Sequence, residues 1–156
     1  NGETAFKGIP KRQFIKKFTD NIFFKKKPPK SLDRNSFKAL YEELLASNYT
    51  IQDTMATLAE CTIETIIMAV STLPKKVKNI LITGGGYKNT YLINHLKDRL
   101  DINVILENNA KLKFDYIESE LIAFLGARTI YDLPYTFPST TGTSKPVSGG
   151  KVFSYL

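Results

Sequence analysis

Apolar residues recur at helical spacing in three stretches of the first half of the chain. The first runs from Pro10, a residue suited to the first turn of a helix, to Ile22, and the pair Pro28–Pro29 stops it. The second covers about Asn35 to Ser47. The third runs from Thr50 to about Thr72 and opens with Asp53 at the spacing of a capping box. This pattern predicts three helices.

The next stretch alternates between the patterns of strands and helices. Asn79 to Thr83 is a short apolar, β-branched run that predicts a buried strand, and Gly84, Gly85 and Gly86 follow it directly. Asn89 can cap the next helix, and Ile102 to Leu106 predicts a second strand. A strand, helix, strand order favours parallel pairing through a right-handed crossover.

The last third predicts one long helix and an irregular tail. Asp115 and Glu118 have the spacing of a second capping box, and the helix they open should reach about Tyr131. Residues 134–150 are rich in Pro, Gly, Ser and Thr and predict a loop, whereas Lys151 to Leu156 resemble a final strand. The whole pattern predicts an α/β fold, with a small sheet covered by helices.

Composition and charge narrow the choice of environment. The chain has 156 residues, which suit one domain, and a net charge of +7, which suits a nucleic acid, a nucleotide or an acidic membrane without choosing among them. Its one cysteine, Cys61, excludes an internal disulfide. The first residues lack the pattern of a secretory signal, and no apolar run was expected to reach membrane length. We therefore expect a cytoplasmic protein without a membrane partner.

Two further features have plain interpretations. Lysines between 16 and 30 alternate with phenylalanines, which would suit a nucleic-acid surface. Because the phenylalanines recur at helical spacing, core packing with solvated lysines is the favoured interpretation, and no nucleic-acid partner is expected. His95, the sole histidine, is expected to be a helix-surface residue, Cys61 a core residue, and no metal site is predicted.

The glycine turn admits several interpretations. A tight turn without a ligand is one. A dinucleotide-binding turn needs a third glycine where the chain has Asn89, although Glu107 follows the second strand as a ribose ligand would. A P-loop is excluded because no Gly-Lys-Ser or Gly-Lys-Thr follows the glycines. The adenosine-binding turn of actin-like sugar kinases, a strand ending in glycines that lie flat against a nucleoside, suits residues 80–89 well.

Several motifs follow one another along the chain. They are Pro28-Pro29-Lys30-Ser31-Leu32-Asp33-Arg34-x-x-Phe37, Ala56-Thr57-Leu58 with Thr62, Gly84-Gly85-Gly86-x-x-Asn89, Asp115-x-x-Glu118, Leu133-Pro134-x-x-Phe137-Pro138-Ser139-Thr140-Thr141-Gly142, and Gly149-Gly150. In this order they resemble the C-terminal part of anhydro-N-acetylmuramic acid kinases. Ser119 departs from that family, which usually has alanine after the glutamate that corresponds to Glu118.

The resemblance implies a fold, a reaction and site residues. It implies the two-lobed fold of actin, hexokinase and heat-shock-70 ATPases, with residues 1–156 as the ribonuclease-H-like C-terminal lobe. The family uses ATP, Mg²⁺ and water to open 1,6-anhydro-N-acetylmuramic acid and phosphorylate O6 in peptidoglycan recycling. By this resemblance Gly84, Gly85, Gly86 and Asn89 contact the nucleotide, and Glu118 contacts the sugar.

The resemblance also implies what these residues lack. The family's first phosphate loop and its catalytic aspartate find no counterpart in the chain, so no catalytic residue is expected here and the isolated chain is expected to be inactive. An N-terminal lobe supplied in trans, or a homodimer, is the expected partner. Two alternatives stay open: a non-catalytic nucleotide- or partner-binding remnant of such a kinase, and a basic nucleic-acid-binding domain.

Overall fold

A computed structural model describes residues 1–106 and 116–154, and describes Arg34 by its backbone alone. The described chain forms two compact units, one of residues 1–25 and 33–106, the other of residues 26–32 and 116–154. The first unit contains α1 (Glu3–Phe6), α2 (Arg12–Thr19), α3 (Ile22–Lys25), α4 (Lys38–Ala46), α5 (Ile51–Ser71), β1 (Asn79–Ile82), α6 (Thr90–Arg99) and β2 (Asn103–Leu106). The second unit contains α7 (Ile117–Ile130) and α8 (Pro138–Thr141).

Helix α5 is the element that both hydrophobic cores of the first unit share. The hydroxyl of Thr50 caps it by accepting the Asp53 N–H at 3.1 Å. On one side Ile63 packs in a core with α1 and α6, and on another Cys61 packs with Phe14 and Leu44. Burial on more than one side explains why the helix is apolar over most of its circumference.

Length and composition alone would let α5 cross a membrane. The expectation that no apolar run reaches membrane length was therefore wrong. Its apolar residues have another explanation, because α5 packs against α1, α2 and α6 and carries the charged residue Glu60 on its buried face. An apolar helix of this kind is typical of the centre of a folded core.

The two strands form the predicted parallel pair. Asn79 lies opposite Asn103 and Ile82 opposite Leu106, with α6 joining the strands. Ile82 packs against the core formed by α5 and α6, whereas Leu81 on the other face is exposed. The coarse prediction of an α/β fold with a small sheet and many helices is confirmed.

The first predicted helix is divided in the structure. The hydroxyl of Thr19 donates back to the Ile15 carbonyl at 3.0 Å as α2 ends, and the Asn21 side chain accepts the Phe23 N–H at 2.9 Å as α3 begins. These side-chain bonds compete with the helical pattern, as short polar residues commonly do. Ile22, expected on the buried face, is consequently 68% exposed.

Aromatic packing accounts for the alternating Lys and Phe segment within the first unit. The ring centroids of Phe18 and Phe37 lie 4.9 Å apart, and those of Phe24 and Phe37 lie 5.7 Å apart in a stacked arrangement. Lys17 and Lys25 are exposed. The interpretation as packed aromatics with solvated lysines is confirmed for these residues.

The second unit orders the tail by local pairing. Thr136 and Val147 form an antiparallel bridge across the predicted loop, and the short helix α8 lies between them. No strand forms over residues 151–154, so the predicted final strand is not found there; residues 155 and 156 lie outside the described residues. Apolar side chains of α7, including Leu121, Ile122 and Phe124, are exposed.

The carboxylate of Asp53 attaches the segment between α1 and α2 to the start of α5. It accepts the Ile9 N–H at 2.8 Å and pairs with the Lys11 ammonium at 2.6 Å. The Ile9 N–H, and next the Lys11 ammonium, hold the pKa of the Asp53 carboxyl below its ordinary value. The neighbouring Gly8 leaves room for this approach, since a Cβ there would collide with the Gln52 carbonyl.

We predict that Asp53→Asn removes part of the acid dependence of stability. A carboxyl whose pKa is lowered by folding contributes stability that is complete above about pH 4, the ordinary range of aspartate, and is lost as pH falls through the lowered native pKa. Urea unfolding at several pH values should show wild type and variant converging as the solution is acidified. The control is Asp98→Asn, an exposed position on α6, and an equal acid dependence in both variants would contradict this role.

Candidate functional site

The glycine turn joins the end of β1 to α6 on the surface of the first unit. Gly84, Gly85 and Gly86 are all exposed. Gly85 to Lys88 form one 3₁₀ turn, in which the Tyr87 N–H donates to the Gly84 carbonyl at 3.2 Å. The turn therefore presents its backbone outward at the carboxyl end of a strand, where α/β folds commonly bind ligands.

The structure explains why Gly84 is a glycine but does not explain Gly85 or Gly86. Gly84 has φ 71° and ψ −175°, a region that only glycine adopts readily, so the turn itself requires it. Gly85 and Gly86 do not have positive φ. Among the described residues, nothing lies within 4 Å of a Cβ built on either one. Neither conformation nor internal packing explains these two glycines, whereas close approach of a ligand would.

Asn89 caps α6, as predicted. Its side-chain oxygen accepts the Leu92 N–H at 3.3 Å. The N–H of Thr90, at the same helix end, is taken by the Asn1 carbonyl at 3.1 Å, and the Thr90 hydroxyl donates to that carbonyl at 2.8 Å. The N-terminal segment of the chain thus occupies part of the N-terminal end of α6.

Glu118 belongs to the second unit and is exposed on the first turn of α7. The helix begins at Ile117, with Tyr116 as N-cap residue, so Glu118 is its second residue and not the third. The capping-box interpretation requires Asp115, which like Glu107 lies outside the described residues, so this interpretation and the sugar contact of Glu118 both stay predictions.

The sequence reasoning missed a polar cluster between α5 and α6. His95, expected to be a plain surface residue, places Nδ1 2.6 Å from Oε1 of Glu60. The Tyr91 hydroxyl donates to the same oxygen at 3.0 Å, and Arg99 donates to Oε2 at 2.9 Å. Burial, and next the Glu60 carboxylate, raise the pKa of the Tyr91 hydroxyl, which therefore stays protonated and donates.

A signal for this cluster was present in the sequence. Tyr91, His95 and Arg99 recur every four residues, and this spacing places them on one face of α6. What the sequence did not show is that Glu60 of α5 faces these three side chains.

Cys61, which follows Glu60 on α5, is buried as expected, and burial raises the pKa of its thiol to about 12.

Comparison with known proteins identifies the family. The family model described as anhydro-N-acetylmuramic acid kinase matches residues 1–155. The chain belongs to the anhydro-N-acetylmuramic acid kinase family. It is 34% identical over 152 residues to the anhydro-N-acetylmuramic acid kinase of Zymomonas mobilis, covering 97% of this chain and 40% of that protein. It is also 36% identical over 152 residues to the anhydro-N-acetylmuramic acid kinase of Brucella canis, covering 96% of this chain and 40% of that protein.

The match to anhydro-N-acetylmuramic acid kinases is therefore partial. The chain spans about 40% of the length of these curated relatives. Within residues 1–106 and 116–154, no three His, Cys, Asp or Glu side chains come together as a metal site would require. The described residues thus form part of a kinase of this family, with the glycine turn on one unit and Glu118 on the other.

We predict that the first two glycines of the turn respond differently to alanine. Gly84→Ala places a side chain in a strained conformation and should lower the free energy of unfolding by about 1–3 kcal/mol. Gly85→Ala has open space and should leave the free energy of unfolding unchanged or raise it by up to about 1 kcal/mol, because alanine reduces the freedom of the unfolded chain. Urea unfolding measures both variants against wild type. Equal destabilisation by the two substitutions would show that Gly85 is a structural requirement of the turn.

Proposed function

We propose that this chain supplies the adenosine-contacting surface of an ATP-dependent anhydro-N-acetylmuramic acid kinase. The complete kinase would open the 1,6-anhydro ring with water and phosphorylate O6 in the cytoplasm, as a step of peptidoglycan recycling. The supporting observation is the exposed turn at Gly85 and Gly86, whose glycines the fold does not require, in a chain that belongs to this kinase family.

The geometry of the turn favours the nucleoside over the phosphates. The N–H groups of Thr90 and Leu92 already have acceptors within the chain, which leaves less of the α6 terminus for an anion. The exposed backbone at Gly85 and Gly86 instead offers a surface without side chains. A flat adenine or ribose can approach such a surface closely. The phosphates would then be held by other parts of the complete kinase.

The fold proposed for the complete kinase is the two-lobed actin-like fold, with this chain as its C-terminal lobe. Within the part of the chain that the structure describes, the sheet has only β1 and β2. Two strands alone are marginal in water, and sheets commonly have four to six strands. We propose that further strands complete this sheet in the full-length kinase.

Glu118 is proposed to contact the sugar, and Mg²⁺ to enter with ATP. Magnesium is usually held by one or two carboxylates together with the phosphates of the nucleotide. Among the described residues no three His, Cys, Asp or Glu side chains are grouped as a metal site, and we propose that the nucleotide phosphates and carboxylates elsewhere in the complete kinase hold the ion. The phosphate loop and the general base of phosphoryl transfer are likewise proposed to lie outside these 156 residues.

We predict that adenosine, ADP and ATP bind weakly to one site at the turn. NMR titration should shift the amide signals of Gly84, Gly85, Gly86 and Asn89 with all three ligands. Gly85→Val should reduce the affinity at least tenfold, about 1.4 kcal/mol, because its side chain occupies the space of the ligand. The matched control is Gly126→Val, which also has open surroundings among the described residues. Shifts confined to residues 25–30 would contradict this site.

We predict no turnover of ATP and 1,6-anhydro-N-acetylmuramic acid by residues 1–156 alone, because they lack the groups that orient water and stabilise the transferred phosphoryl group. The measurement is release of ADP and of the phosphorylated sugar. Turnover that Gly85→Asp abolishes would disprove the prediction. Addition of an N-terminal lobe from a relative tests the alternative of a non-catalytic remnant, since a remnant would stay inactive in its presence.

A further inference from the structure

Glu60 is a charged residue in the buried part of helix α5. Its side chain is 11% exposed, and its neighbours Ala59, Cys61 and Ile63 on α5 are buried. Removal of a carboxylate from water has a large free-energy cost unless partners replace the lost hydration. Such a residue needs a specific explanation, which its contacts provide.

The partners of Glu60 among the described residues lie on α6. Oε1 receives the Tyr91 hydroxyl at 3.0 Å and lies 2.6 Å from His95 Nδ1, while Oε2 accepts from Arg99 at 2.9 Å. The rings of Tyr91 and His95 stack with centroids 4.0 Å apart. One carboxylate therefore holds two successive turns of α6 and defines the rotation of that helix about its own axis.

Stability alone is a weak explanation for this arrangement. Replacement of a buried ion pair by apolar residues of similar volume is often neutral or stabilising, and the best-attested benefit of such groups is a unique relative placement of elements. Ile63 and Leu96 already supply apolar contact between α5 and α6 in the same core. The polar contacts therefore fix the orientation of α6 against α5, whose packing is already favourable through these apolar residues.

The placement of α6 also places the glycine turn. Tyr91 is the second residue of α6 and follows Asn89, the N-cap residue, by two positions. Asn89 in turn donates its N–H to the Gly86 carbonyl at 3.1 Å. A rotation or shift of Tyr91 would therefore also move Gly85 and Gly86, because the N-cap residue Asn89 is bonded to the 3₁₀ turn.

We propose that Glu60 is a positioning residue for the nucleotide site, acting through Tyr91, His95 and Arg99 to hold the glycine turn in its binding conformation. This inference rests on the proposed adenosine site.

The test compares Glu60→Gln, which keeps the size and removes the charge, with Glu64→Gln as control. Glu64 accepts a hydrogen bond from Nη2 of Arg99 at 2.6 Å. Among the described residues it has no hydrogen bond to Tyr91 or His95. Adenosine is the probe because it carries no phosphate that titrates near neutral pH. All titrations are made well below the unfolding transition of each variant, so that loss of folded protein does not lower the affinity.

Glu60→Gln should weaken adenosine binding about tenfold, equivalent to about 1.4 kcal/mol, and shift the amide signals of Gly85, Gly86 and Asn89 without ligand. Glu64→Gln should do neither.

The outcomes separate this inference from the proposed function. Absence of adenosine binding by wild type would refute the proposed site, and the amide signals of the turn in Glu60→Gln would still decide whether Glu60 positions it. Adenosine binding that Glu60→Gln leaves unchanged would refute the positioning role and leave the site intact. A variant Glu60→Asp, with the charge kept on a shorter side chain, should recover part of the adenosine affinity that Glu60→Gln loses.

Discussion

Packing around helix α5 is the constraint on which the first unit depends. Ile63 joins it to α1 and α6, and Cys61 joins it to α2 and α4, so one helix supplies both cores. This double burial explains a composition that would otherwise suit a membrane span. Two acidic residues of α5 have partners on neighbouring segments: Asp53 binds the segment before α2, and Glu60 binds α6.

The glycine turn shows how a fold can carry residues that it does not need. Gly84 is required by its backbone conformation, but Gly85 and Gly86 are not explained by any described contact. A glycine that folding does not require lowers stability through the freedom of the unfolded chain. Gly85 and Gly86 are therefore compatible with the proposed approach of a nucleoside to the backbone, in a chain that belongs to a kinase family.

Sequence patterns predicted the elements well where local and tertiary preferences agree. The strands at Asn79–Ile82 and Asn103–Leu106, the cap at Asn89 and the long helix α5 were all predicted within one or two residues. Predictions were wrong where a short polar side chain changed the local outcome, as when Thr19 and Asn21 divided one helical pattern into α2 and α3. The expected final strand failed at residues 151–154, since a strand needs a neighbour that the sequence does not reveal.

The sequence by itself determined the α/β class, the parallel order of the two strands, the glycine turn and the family motifs, because each depends on residues close together in the chain. Only the tertiary structure decided which residues meet across elements. The pairing of Glu60 with His95 and the use of the Thr90 N–H by the Asn1 carbonyl join residues 35 and 89 positions apart, as the numbering shows. Such contacts depend on how helices rotate and pack, and side-chain spacing within one helix does not specify the partner that its face will meet.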